Sequence, residues 1–124
     1  MKDETKKWIA RGEEQLDVAS ALFESVHYPQ SVFFCQQALE LLLKAMWIEQ
    51  ADSGLPRRTH DLVSLVEEIR LVLSEEQLEF LRRLTEQYIP SRYADTPIEY
   101  SVEDASEYLE QAKELFAWLQ QRLS

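Results

Sequence analysis

Apolar and small residues recur near the start of the chain at Ile9, Gly12, Leu16, Ala19, Phe23 and Val26, spaced 3, 4, 3, 4 and 3 apart. That alternation lays them along one narrow stripe of a helix running from about Glu4 to Val26. The same rhythm returns at Val102, Ala105, Leu109, Ala112, Phe116, Leu119 and Leu123, predicting a long last helix that ends near Arg122. Between them, from about Gln30 to Ala51, apolar residues cover nearly every side: Val32, Phe33, Phe34, Ala38, Leu39, Leu41, Leu42, Leu43, Ala45, Met46, Trp47 and Ile48. A helix of that kind is central and packed from several directions, a second subunit among them. His27-Tyr28-Pro29 breaks the first helix, since the residue before a proline disfavours the α region. Asp52-Ser53-Gly54 ends the second, with Gly54 suited to a left-handed C-terminal cap. Gly12 costs a helix interior about 1 kcal/mol relative to alanine, which marks close approach by a neighbouring helix.

Shorter elements fill the remainder. Leu55 to His60 reads as a connecting loop and Asp61 to Val72 as a short helix. Ser74-Glu75-Glu76-Gln77 has the capping-box spacing and opens a helix to about Tyr88, with Leu78, Leu81, Leu84 and Tyr88 on one face. Ile89 to Tyr100 is a loop holding Pro90 and Pro97. Ser101 and Asp104 form a second capping-box candidate. No run alternates β-branched and polar residues, so no strand is indicated. The expectation is an all-α, antiparallel up-and-down bundle of four to five helices, one domain over residues 1–124.

At 124 residues the chain has room for one domain with one real core. With 13 basic and 23 acidic residues its net charge is −10, which disfavours binding duplex DNA across a broad face. One cysteine, Cys35, excludes an internal disulfide framework and a Cys-rich zinc site. No apolar segment approaches a membrane span, and the charged start lacks a signal-peptide core, so a soluble cytoplasmic protein is expected.

Three features stand apart from the bundle pattern. Gln37, Glu40 and Lys44 form a polar stripe on the otherwise apolar second helix, read either as a water-facing edge or as the lining of a cleft or dimer groove. Arg57-Arg58-Thr59-His60-Asp61 reverses the local sign of charge just before a helix N-terminus. It reads either as an anion site or as a helix cap (Thr59 or Asp61) with its arginines paired to carboxylates. Tyr88-Ile89-Pro90-Ser91-Arg92-Tyr93-Ala94-Asp95 combines tyrosines with a guanidinium. That suits stacking on a base and pairing with a phosphate, or equally a self-packed plug. Cys35 reads as inert packing. Two histidines without ligand spacing and the lack of a Gly-rich phosphate loop leave no metal, no cofactor and no standard catalytic arrangement assigned.

These residues also resemble a known family. Gln36-Gln37-Ala38-Leu39-Glu40-Leu41-Leu42-Leu43-Lys44-Ala45 is similar to the Q-Q-A-x-E-x-x-x-K-A signature of HEPN domains (higher eukaryotes and prokaryotes nucleotide-binding). Thr59-His60-Asp61-Leu62 resembles that family's T/S-H-D-L element, and Tyr88-Ile89-Pro90-Ser91-Arg92-Tyr93 its Y-I-P-x-R-Y-P-D loop, with Ala94 in place of the usual proline. Tyr100-Ser101 to Ala105, with Trp118, resembles its final helix. The resemblance implies a bundle that forms homodimers, a minimal nucleotidyltransferase partner in a toxin–antitoxin-like pair, and nucleotide binding. Many relatives are metal-independent ribonucleases with an R-x4-6-H motif. Here His27 is preceded at that distance by Ser20, Ala21 and Leu22, and His60 by Ser53, Gly54 and Leu55, so the motif is absent.

The favoured expectation is therefore a non-catalytic module whose nucleotide site draws on Gln37, Glu40, Lys44, Arg57, His60, Arg92, Tyr93 and Asp95. Alternatives are a ribonuclease toxin using His60 with Arg57 or Arg92, and a ligand-free structural dimer. Dimerisation is expected through the second helix and neighbouring apolar faces.

Overall fold

The structure is a computed structural model that describes residues 1–88 and 99–123. Five helices are found there: α1 (Asp3–Glu24), α2 (Tyr28–Gln50), α3 (Leu62–Glu68), α4 (Glu75–Tyr88) and α5 (Val102–Leu123). α2 is the central rod and touches each of the other four. Its all-round apolar pattern is thereby explained within one chain: Val32, Cys35, Ala38, Leu39, Leu42, Leu43 and Ala45 are buried from several directions at once. α1 and α5 contribute their stripes, Ile9, Gly12 and Ala19 from one, Ala105, Leu109, Ala112, Phe116 and Leu119 from the other.

α1 and α2 run antiparallel and are tied at both ends. At one end the Lys2 N–H and the Thr5 hydroxyl donate to Glu49 Oε1 at 3.0 and 2.8 Å. The Lys2 ammonium in turn donates to the carbonyls of Ile48 and Ala51 at the end of α2. A carboxylate thus meets a helix N-terminus and a cation meets a C-terminus, the favourable sense for both helix dipoles. At the other end the Ser31 hydroxyl donates to the Ala19 carbonyl at 2.7 Å. Between these ties the helices approach closely at Gly12, where an added Cβ would lie 3.2 Å from the Ala38 carbonyl oxygen and from the Phe116 ring.

Helix ends depart from expectation in an instructive way. Pro29 does not end α1 but sits in the first turn of α2, where its missing N–H costs nothing. α1 stops earlier, at a Schellman turn: His27 N–H bonds Leu22 O at 2.8 Å and Val26 N–H bonds Phe23 O at 3.0 Å. Val26 occupies the left-handed position at φ 67 and is exposed, so it leaves the stripe predicted for α1. α3 ends the same way, with Arg70 at φ 57 and Leu71 N–H on Val66 O, four residues short of the expected Val72. Gly54 does take a positive φ of 96, but in the loop beyond the end of α2 rather than as its cap; Ala51 ends that helix in extended backbone. The Ser74 capping box is complete: Gln77 N–H donates to Ser74 Oγ and Ser74 N–H to Gln77 Oε1. At α5, Asp104 N–H donates to Ser101 Oγ at 3.0 Å.

Candidate functional site

A buried polar row crosses the apolar face of α2. Gln36, Glu40 and Lys44 are spaced by four and so stack one turn above another. Gln36 is fully buried, Glu40 is 5% exposed and Lys44 8%. The reading of a water-facing edge is thereby corrected for Glu40 and Lys44, which are buried, while Gln37 stays half-buried. Lys44 Nζ donates to Glu40 Oε2 at 2.9 Å. Gln36 Nε2 donates to Glu40 Oε1 at 3.1 Å and to the His60 carbonyl at 3.0 Å. Gln37 is half-buried and donates to Gln36 Oε1 at 2.8 Å. A buried ion pair needs such extra hydrogen bonds to offset its desolvation.

His60 arrives from the loop before α3. Its Nδ1 lies 2.8 Å from Glu40 Oε1. A carboxylate only accepts, so Nδ1 carries the proton and Nε2 faces the Tyr88 hydroxyl at 3.1 Å. Tyr88, at the end of α4, also stacks on the imidazole with ring centroids 4.3 Å apart, and Phe33 of α2 stacks on Tyr88 at 5.4 Å. The loop is pinned on both sides. Asp61 caps α3 by accepting from Val63 N–H and Ser64 N–H, and Leu62 N–H donates to the Thr85 hydroxyl of α4. The His60 side chain remains 48% exposed. A half-open imidazole is thus held in one orientation by a buried carboxylate on one nitrogen and a phenol on the other. Chemically, that arrangement can pass a proton between the tyrosine hydroxyl and the imidazole while the carboxylate stabilises the cation formed.

The other expected residues fall elsewhere. Arg57 lies 3.2 Å from Glu68 and donates to the Ser64 hydroxyl, so its guanidinium is engaged by α3 rather than by the Glu40–Lys44 row. Asp61 fills the N-terminal N–H groups of α3 with its own carboxylate, which closes that helix end to an anion. Arg92, Tyr93 and Asp95 lie outside the described residues. Cys35 is buried and its thiol is pushed up to about 12 by burial, against the opposing pull of Lys113, so it stays protonated near neutral pH. Gln36 and the pairing of Tyr88 with His60 were not singled out from the sequence. The signal for Gln36 was its four-residue offset from Glu40. Nothing local marked Tyr88 as a partner of a residue 28 positions away. Among the described residues no helix is long and apolar enough to cross a membrane, and no three His, Cys, Asp or Glu residues come together as a metal ion requires.

Comparison with known proteins places this geometry in context. The HEPN domain model matches residues 5–123. A protein of Methanocaldococcus jannaschii described as "Putative toxin MJ1304" is 34% identical over 128 residues, covering 87% of this chain and 80% of the relative. The crystal structure of TT1696 from Thermus thermophilus superposes with a TM-score of 0.84 at 23% identity, over 97% of this chain and 98% of that one. That of ST0689, described as an archaeal HEPN homologue, superposes with a TM-score of 0.75 at 27% identity over the whole of both chains.

Proposed function

Because this chain belongs to the HEPN family, we propose that it is the toxin-like half of a toxin–antitoxin pair: a cytoplasmic homodimer that works with a minimal nucleotidyltransferase and binds a nucleotide beside His60. The observation that carries this reading is the oriented, half-open imidazole of His60, backed by buried Glu40 and Lys44 and stacked on Tyr88. A helical bundle gains nothing in packing from burying that pair, since apolar residues of similar volume serve as well or better. The exposed part of the His60 side chain would meet a nucleotide, and the half-buried Phe33 ring near it would suit a base, Tyr88 itself being buried between the two. Arg92, Tyr93 and Asp95 are carried into the site by the family resemblance. The toxin description of the archaeal relative supports the toxin half of the proposal.

Dimerisation is proposed over the α2 row of Phe33, Gln37 and Leu41, which remains half-buried in the single chain and reaches Tyr88 through Phe33. Calorimetry with ATP tests the nucleotide claim. Saturable heat that His60→Ala abolishes is the expected result; no heat at millimolar ATP, with and without the transferase, would remove it. Light scattering tests the dimer, and a monomeric mass at tens of micromolar would contradict it.

One second reading has a specific observation behind it. The Glu40–His60–Tyr88 chain is a proton-transfer arrangement that needs no metal, and so favours a metal-independent ribonuclease without the usual motif. RNA cleavage in EDTA that disappears in His60→Ala would establish it, and intact RNA after long incubation would end it.

A further inference from the structure

α4 and α5 touch more sparsely than any other pair of contacting helices in the bundle. The space between them is a groove rather than a packed seam. Three adjoining hollows of about 270, 530 and 280 Å³ run along it. The first two share Glu76 and Gln111, and the last two share Arg83 and Glu107, so they form one channel. Its walls are two facing helical rows: Glu76, Glu79, Arg83 and Gln87 on α4, and Asp104, Glu107, Gln111, Glu114 and Trp118 on α5. Each row advances by three or four residues, so each is a single stripe.

Two properties separate this groove from an ordinary solvated acidic face. Its lining is aromatic as well as charged, with Phe80, Tyr100, Tyr108 and Trp118 in the hollows. Tyr100 and Tyr108 meet edge to face at 6.1 Å, and the Arg83 guanidinium lies over Tyr108 at 5.9 Å. Burial pushes the Tyr100 phenol up to about 12, with Tyr108 and Asp104 adding to it, and raises that of Tyr108 as well. Both hydroxyls are therefore neutral. The charge is also one-sided. Glu75, Glu76, Glu79, Glu99, Asp104, Glu107 and Glu114 line the channel against the single cation of Arg83 among the described residues. Of those seven, only Glu79 has an ion-pair partner among the described residues, Arg82 at 3.2 Å. Such repulsion raises the energy of the free protein and is relieved by a partner of opposite sign.

Resting on the reading above that this chain works with a protein partner, we infer that the α4–α5 groove receives a basic, amphipathic helix of that partner. Its Lys and Arg side chains sit on the carboxylate rims and its apolar side chains on the aromatic floor. The 14 residues of α4 span about 21 Å, which accommodates an occupant of roughly four turns. Nucleic acid is repelled by the same charges. A second copy of this chain is a poorer occupant. At a net charge of −10 it offers the groove a predominantly acidic surface.

The probe is a fluorescein-labelled peptide of about 14 residues, Lys and Arg on one helical face and Leu on the other, titrated with the full chain and read by anisotropy. Two charge reversals of equal size are compared, Glu76→Lys with Glu107→Lys in the groove and Glu14→Lys with Glu24→Lys on α1. All four positions are exposed, and circular dichroism verifies that both variants fold. The groove pair is expected to weaken binding on the order of tenfold, and the α1 pair by less than about threefold. Glu76→Gln with Glu107→Gln should fall between wild type and reversal. Equal weakening by both reversals, or no saturable binding, overturns the inference. So does a mass that grows beyond that of a dimer with concentration in light scattering and no longer does so in the groove reversal, which would assign the groove to self-association. A complex with the full-length transferase that survives the groove reversal would overturn the groove and leave the partnership standing.

Discussion

Two lysine–glutamate partnerships sit on α2, one at its middle and one at its end, and solvent makes them different devices. At the middle, Lys44 and Glu40 bind each other directly at 2.9 Å, both nearly removed from water. At the end, Lys2 and Glu49 instead serve helix ends: the ammonium donates to the carbonyls of Ile48 and Ala51, and the carboxylate accepts from the Lys2 N–H that precedes α1 and from the Thr5 hydroxyl. The rim pair neutralises helix ends and needs no further support, since water completes its hydration. The interior pair is costly unless every polar atom has a partner, and Gln36, His60 and Tyr88 are recruited to complete it. A charge in the interior thus assembles a site around itself, whereas a charge at the rim only ties elements together.

The strongest way to break this contrast is Lys44→Met. It leaves the Glu40 carboxylate buried without its cation and is expected to cost about 3 kcal/mol of stability in chemical denaturation. Adding Glu40→Leu should recover most of that loss, because removing both charges removes the desolvation penalty. A double variant no more stable than Lys44→Met would show that the pair is not the origin of the effect. The rim, in contrast, leaves room for improvement. Val26→Gly relieves a β-branched residue in a left-handed conformation and loses no burial, so it should raise stability by about 1 kcal/mol in the same assay. Tyr88→Phe removes only the hydroxyl on His60. A cost of roughly 0.5–1 kcal/mol is expected, together with a change in the imidazole nitrogen NMR shifts if that hydroxyl sets the tautomer.

The smallest effect belongs to Glu49. Its carboxyl is held below the usual range, first by the Lys2 N–H and then by the Thr5 hydroxyl. A depressed folded value means stability that is present above the ordinary carboxylate range and lost as pH falls through it. Wild type should therefore lose more stability than Glu49→Gln on acidification from pH 6 to pH 3. Parallel melting-temperature profiles would sink that assignment.

How far the residues announced this structure differs from feature to feature. The 3–4 rhythm of α1 and α5 and the apolar girth of α2 specify a bundle with α2 inside, because helical period and water between them leave few other ways to bury those side chains. The Ser74 box and the close approach at Gly12 were readable for the same local reason. The helix ends were less so. Glycine and proline are only the cheapest way to turn a chain, and here Val26 and Arg70 adopt the left-handed turn without glycine while Pro29 joins the helix it follows. Glu40, Lys44 and His60 could be picked out as candidates, but not the burial of Glu40 and Lys44, since a polar stripe with i,i+4 charges reads identically on a wet edge and in a covered seam.

The sequence by itself therefore determined the helices, their order and which of them is central, because those follow from periodicities within each segment. Tertiary structure alone decided that Arg57 turns to Glu68, that Tyr88 meets His60 across 28 residues, and that seven carboxylates share one groove. Such meetings depend on how separate helices are brought together, and no local pattern encodes the distance between two surfaces.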